Sequence, residues 1–486
     1  MLTFDNSYVR ELEGLYAFSS AERKSAPKIS RLNLPLAEEL GLEPGDLDSP
    51  DWVQYFSGNK VAPGSQPIAQ AYAGHQFGNF VPQLGDGRAL LLGEIIDRKG
   101  HRRDIQLKGS GPTVFSRNGD GKAALGPMLR EYLMGEAMHH LGIATSRALA
   151  VVETGEPVYR ENVLPGAVLA RVAASHIRIG TFEYLAARSD VRMLRRLADY
   201  TVARHYPELE GRPRIEFLRA FSMRLAKLVA QWMGAGFIHG VMNTDNMALS
   251  GETIDYGPCA FIEHYDPRTV FSSIDRNGRY AYGNQPAIAQ WNLARFAETL
   301  LPLIDEDAER AVELATDEVD AFASHYQNAR LAVMRKKLGL AREEEEDASL
   351  AEGFLEAMQA AEADFTLAWR ALADAAKGGE SLQSLFASNP EKLDAWLPRW
   401  RERLAREERT MDGIAEDIRR ANPFVIPRNH LVEEALEAAS ANGDLGPFDR
   451  LCDALAEPYA EKISFRSYSL PAPRAQTERY RTFCGT

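Results

Sequence analysis

The segment RALLLGEIIDRKGHRRDIQLKG, residues 88–109, restricts the N-terminal third of this chain more than any other stretch. Two apolar runs of strand length flank DRKGH, a turn composition, so the chain must double back here as an antiparallel hairpin. NFVPQL (79–84) reads as a further strand, joined to the first of these runs through GDG at 85–87. In the last strand Ile105 and Leu107 alternate with Gln106 and Lys108, which puts the lysine ammonium on the face opposite the apolar pair. Beyond this hairpin the period changes. MLREYLMGEAMHHLGI (128–143) repeats Leu129, Leu133, Ala137 and Leu141 on one helical face and stops at Gly142, a helix-ending glycine. GAVLARVA (166–173) is another strand and EFLRAFSMRLAKLVAQWMGAG (216–236) a long helix. MAL and TID read as short strands around SGE (250–252), and from about residue 285 the pattern is helical throughout. Strands first and helices afterwards give an α+β fold.

Bulk properties remove several function classes. The 486 residues carry a formal charge of −13, the wrong sign for a protein that coats nucleic acid with clustered Lys and Arg. RKGHRR (98–103) therefore reads as a solvated hairpin end, and AREEEED (341–347) as a solvated helix end. Three cysteines, Cys259, Cys452 and Cys484, are too few for a disulfide framework. No apolar run approaches membrane-spanning length, and the acidic residues of the first dozen positions do not fit a transit segment. A cytoplasmic protein, a monomer without nucleic-acid or membrane partners, is the expectation.

The chemistry concentrates in HGVMNTDNMALSGETIDYGP, which begins at His239. A protein-kinase catalytic loop reads H-R-D, four residues, Asn, followed by a D-F-G turn whose aspartate binds metal. His239, Asn246 and Asp255-Tyr256-Gly257 fall into that spacing, but Val241 stands where the catalytic aspartate belongs, and Asp245 precedes the asparagine. The reading is a protein-kinase-like two-lobed fold, with an N-terminal extension and antiparallel-sheet N-lobe over 1–165. A mainly helical C-lobe with a helical C-terminal extension follows over 166–486. Asn246 and Asp255 supply the hard oxygen ligands that Mg²⁺ or Mn²⁺ takes. Lys108 is the candidate phosphate-gripping cation, and Gly85-Asp86-Gly87-Arg88 a turn that can approach phosphates, although a D-G pair alone is only a turn. Glu131 and Glu136 both flank the apolar face of the helix after Lys108, and periodicity does not choose which of them positions the lysine.

The motifs AYAGHQFGNFVPQLGDGR, DIQLKGSGPTVFSRNGDGKA, RVAASHIRIGTFEY, HGVMNTDNM and DYGP together resemble the selenoprotein O family over nearly the whole chain. That resemblance implies a kinase fold in which the nucleotide sits reversed and AMP, not phosphate, passes from ATP to Ser, Thr or Tyr hydroxyls of proteins. It implies ATP contacts at Gly85, Gly87, Arg88, Lys108, Asp120, Gly121, Arg171, Arg178 and Asp255. It also implies Glu131 as the lysine's partner, metal at Asn246 and Asp255, and Asp245 as the proton acceptor. Two other classes use overlapping residues: a phosphotransferase, against which Val241 counts, and a catalytically silent ATP-binding scaffold, which needs no Asp245. The acceptor proteins, and UTP as an alternative donor, are left open. From the near-terminal cysteine of its relatives, the resemblance further suggests a redox role for Cys484, with a reversible Cys259–Cys484 disulfide as the expectation.

Overall fold

The computed structural model describes residues 2–43 and 49–483. The N-terminal part is built on one antiparallel sheet. Its strands run in the order Tyr16–Phe18, Ile68–Gln70, Ala89–Ile96, Arg102–Lys108, Val163–Ala173, Arg147–Tyr159 and Lys28–Leu32, with Ala123–Ala124 added beside Val163–Ala173. The hairpin expected around DRKGH is present, pairing Ala89 with Lys108 at its open end and Ile96 with Arg102 at the turn. At the turn itself Lys99 and His101 are exposed, as a solvated hairpin end requires.

Period-2 alternation divides the sheet's side chains between two unlike faces. Ile105, Leu107, Val168, Ala170 and Val172 point to one side, where Leu36, Leu40, Trp52 and Phe56 of two short helices cover them. Ala167 and Leu169 point to the other, against Leu129, Tyr132 and Leu133 of the helix Leu125–His140. Gln106, Lys108 and Arg171 share that second face, and Arg171 lies directly opposite Gln106 in the ladder. Their polar ends thus emerge between the sheet and the helical part of the molecule. The strand Val163–Ala173 runs across the division expected at residue 165, so residues up to 173 go with the sheet.

Two expectations are corrected here. Asn79–Val81 does not join the sheet but pairs with Gly74–Gln76 in a separate two-stranded ribbon. The two-residue turn Phe77-Gly78, with φ of 51° and 85°, closes that ribbon locally, which is the positive-φ geometry that tight hairpins favour. MAL and TID form no strands; they meet through a single bridge between Met247 and Thr253.

From residue 174 onward the molecule is mainly helical. The helices Arg214–Ala235, Gln285–Ile304 and Ala308–Leu338 pack together, with Phe182, Phe217, Phe221 and Phe296 meeting edge to face in their core. Trp232 donates its indole N–H to Thr253 at 2.9 Å and lies against the His239 ring, fixing the loop that follows the long helix. The acidic run at 341–347 is also more than a solvated helix end. Asp347 is fully buried and accepts from Arg335 at 2.7 Å and from Arg403 at 2.8 Å, while Glu343 remains exposed. Among the described residues no helix is long and apolar enough to cross a membrane.

Candidate active site

A cavity of about 750 Å³ lies between the sheet and the helical part. Lys108, Glu131, Arg171, Arg178, Asp245, Asn246 and Asp255 all line it, as do Gly87, Arg88 and Val241. Residues from two strands, one helix and three connecting loops therefore converge on one space.

Asp255 is the centre of the charge pattern. Lys108 Nζ and Arg171 Nη1 each donate to its Oδ1 at 2.7 Å, and Arg178 Nη1 lies 3.5 Å from Oδ2. Its backbone is left-handed, with φ of 62°, a conformation a non-glycine residue holds only where its surroundings fix it. Burial pushes this carboxyl up, but Lys108, Arg171 and Arg178 outweigh burial and hold it well below the usual carboxylate range. Glu131 Oε2 accepts from Lys108 at 2.5 Å and Oε1 from Arg171 at 3.0 Å. Glu136 faces away and takes both prongs of Arg147 at 2.6 Å each, which answers the choice periodicity left open.

The Arg178 guanidinium sits at the start of the helix Ile179–Ala186, 4.5 Å above the Tyr72 ring, and donates to the Asp245 carbonyl at 2.9 Å. Asp245 occupies the short turn Thr244–Asn246, and burial raises its carboxyl to about 6. Gln76 Nε2 donates to its Oδ2 at 3.3 Å, while Oδ1 is buried without a hydrogen-bond partner. Asn246 donates Nδ2 to the Val241 carbonyl at 3.0 Å, which leaves its Oδ1 as the acceptor end. His239 donates Nε2 to the Ile254 carbonyl at 2.9 Å and so ties the catalytic-type loop to the strand-like segment before Asp255.

The remaining expected residues are placed differently. Gly85 lies behind the cavity wall, where a Cβ would meet the Phe115 ring at 2.4 Å, so its lack of a side chain serves loop packing. Asp120 is exposed and bonds Arg160 at 2.7 and 3.0 Å; neither it nor Gly121 lines the cavity. Cys259 is buried in the segment after Gly257, and its expected partner Cys484 lies outside the described residues.

Three contributors were not singled out by the sequence. Asp86 is buried beside Gln106 and the Gln70 amide, and burial pushes its carboxyl up to about 6. Arg130 donates to the Gly257 and Cys259 carbonyls at 3.1 and 2.6 Å, fixing the chain after the D-Y-G turn. Gln76 comes from the ribbon. Only Asp86 carried a signal, its place between two glycines; the others depend on tertiary approach.

Among the described residues no group of three or more His, Cys, Asp or Glu is arranged to hold a metal. A magnesium-type ion needs fewer protein ligands when substrate phosphates supply the rest. The Asn246 amide oxygen and the Asp255 carboxylate fit that requirement.

The family model described as "Protein adenylyltransferase SelO" matches residues 1–456. A "Protein nucleotidyltransferase YdiU" of Cereibacter sphaeroides is 60% identical over 486 residues, covering 99% of both chains. Proteins of the same description from Chromobacterium violaceum and a Bradyrhizobium species are 60% and 54% identical, over 96% and 99% of this chain and 98% and 99% of their own. With a match of this extent, and with the kinase-like constellation around Asp255 and Asn246 in place, the chain belongs to the SelO family of protein adenylyltransferases.

Proposed function

We propose that this enzyme transfers AMP from ATP to Ser, Thr or Tyr hydroxyls of acceptor proteins, with Asp245 as the proton acceptor. The observation that carries the reading is the convergence of Lys108, Arg171 and Arg178 on the cavity that also holds Asp245 beside Asn246. Three cationic side chains brought to one open cavity supply the donors that a polyphosphate takes.

In the transfer, the acceptor oxygen forms a bond to the α-phosphorus as the bond from that phosphorus to the bridging oxygen of the leaving pyrophosphate breaks. The hydroxyl proton passes to the Asp245 carboxylate. Arg171, Arg178 and Lys108 offset the charge that grows on the phosphate oxygens, and they are held in position beforehand by Glu131, Gln106 and Tyr72. Asn246 and Asp255 would hold Mg²⁺ or Mn²⁺, whose chemistry is to neutralise phosphate charge and orient the polyphosphate. Arg88 and Gly87 at the cavity wall serve as further phosphate contacts.

A phosphotransferase would require its base near residue 241, where the aliphatic Val241 stands. A silent scaffold would leave unexplained a buried carboxyl placed beside the metal ligands. Incubation with ATP labelled at the α or the γ phosphate, followed by acid precipitation of protein, tests the reading. Covalent α label with release of pyrophosphate is expected; γ label alone would overturn it.

A further inference from the structure

The ribbon Gly74–Gln76 and Asn79–Val81 stands apart from the sheet and packs against the loop that carries Asp245 and the helix Ile179–Ala186. Three consecutive ribbon residues bond three consecutive loop residues. Phe77 donates its amide to Asn243 Oδ1 at 3.0 Å, His75 its amide to Thr244 Oγ1 at 2.7 Å, and Gln76 its side-chain amide to Asp245 Oδ2 at 3.3 Å. Glu183 braces both sides of this junction. One of its oxygens lies 2.5 Å from His75 Nδ1, and the other accepts from the Thr244 hydroxyl at 2.5 Å. The fit is close enough that a side chain at residue 74 would displace the Asp245 carboxylate. A Cβ there would lie 2.7 Å from Asp245 Oδ1 and 3.0 Å from Asp245 Cβ.

We propose that Gln76 is a positioning residue for adenylyl transfer, and that the ribbon 74–81 is the element that sets the orientation of the Asp245 carboxylate. The proposal rests on the reading of Asp245 as the proton acceptor. With Oδ2 tied to Gln76 and Oδ1 lying in the space a side chain at residue 74 would fill, the ribbon holds the carboxylate from both oxygens. A base acts efficiently only when it already faces the proton it will take, and small angular errors are felt in the chemical step rather than in substrate binding. Gln76 bonds the base itself, whereas His75 and Phe77 bond its neighbours, so Gln76 is the position at which the ribbon acts on the chemistry. A residue that served only folding would not separate these two quantities.

The test is steady-state adenylyl transfer from α-labelled ATP to denatured casein, with full-length wild type, Gln76→Met, Gly74→Ala and Asp245→Asn. Gln76→Met keeps the side-chain length and removes the donor; Gly74→Ala leaves the donor and crowds the carboxylate. Both are expected to melt within a few degrees of wild type, and to lose roughly tenfold or more in kcat with the KM for ATP within about twofold. Folded variants that keep wild-type kcat, or that lose activity only through a higher KM, overturn the inference. Should Gln76→Met fold poorly, Gly74→Ala carries the same expectation through a different atom. Asp245→Asn separates the two levels of the account. If it transfers AMP at the wild-type rate, the base assignment fails and the positioning role with it. If it is inactive while Gln76→Met and Gly74→Ala are normal, the base assignment stands and only the ribbon's role is lost.

Discussion

Two buried ionic clusters, one in the cavity and one in the helical C-terminal part, use the same residue types to different ends. Around Asp347, the fully buried Arg403 directs its guanidinium to Asp347, Glu407 and the Arg342 carbonyl, and Arg335 completes the set. Glu344 and Glu343 add outer contacts to Arg403 and Arg335, while Asp347 and Glu407 are sealed from solvent between them. In the cavity, Lys108 and Arg171 share Glu131 and Asp255, and Arg178 reaches Asp255 as well, so three cationic ends gather on carboxylates that face an open space. The Asp255 side chain also keeps 20% of its surface exposed, against none for Asp347. A closed cluster fixes helices relative to one another; an open cluster on a cavity wall is completed by a ligand.

This comparison can be broken by substitution, starting with the largest expected effect. Arg403→Ala leaves Asp347 and Glu407 buried without their partner and should cost about 3–5 kcal/mol of stability in urea denaturation. Its specific activity per folded molecule should be unchanged. Lys108→Ala is expected to lower adenylyl transfer by roughly two to three decades, equivalent to about 2–4 kcal/mol of transition-state stabilisation. Its melting temperature should move far less than that of Arg403→Ala. Equal losses of stability in the two variants would erase the distinction between open and closed clusters. Asp255→Ala should likewise abolish transfer while leaving the fold intact, and should also remove the dependence of nucleotide affinity on added Mg²⁺ or Mn²⁺. Retained activity in that variant would contradict the assignment of Asp255 to the metal.

The smallest effect is expected at Asp120, whose exposed pair with Arg160 is of the kind worth at most about 1 kcal/mol. Asp120→Ala measured by thermal melting and by ATP affinity sharpens the boundary of the open cluster. Little change in either confines the cluster to the cavity lining; a clear loss of ATP affinity would bring the 120–121 turn into the site.

The sequence disclosed those parts of the site that obey a short-range rule. Alternation in Arg102–Lys108 placed Lys108 away from Ile105 and Leu107, and the ladder shows that same division. The spacing of His239, Asn246 and Asp255 pointed to two residues that line one cavity, Asn246 and Asp255, and to the histidine that ties their loop together. Periodicity did not separate Glu131 from Glu136, because both flank the apolar stripe, and their roles are set by Lys108 on one side and Arg147 on the other. NFVPQL has strand composition, but its partner was chosen by the tight turn at Phe77-Gly78 rather than by the sheet. The acidic run at 341–347 looked solvated because Arg403 and Arg406 approach it from a later helix and Arg335 from the preceding one, and no local pattern registers either approach.

The central claim is that Lys108, Arg171 and Arg178 on the cavity wall receive a nucleotide polyphosphate. Calorimetric titration of the folded wild type and of Lys108→Ala with AMP, ADP and ATP in the presence of Mg²⁺ tests it most directly. The account predicts that wild-type affinity rises from AMP to ADP to ATP, and that Lys108→Ala weakens ATP by roughly tenfold or more while affecting AMP least. Equal affinity for all three nucleotides, unaltered by loss of Lys108, would contradict it.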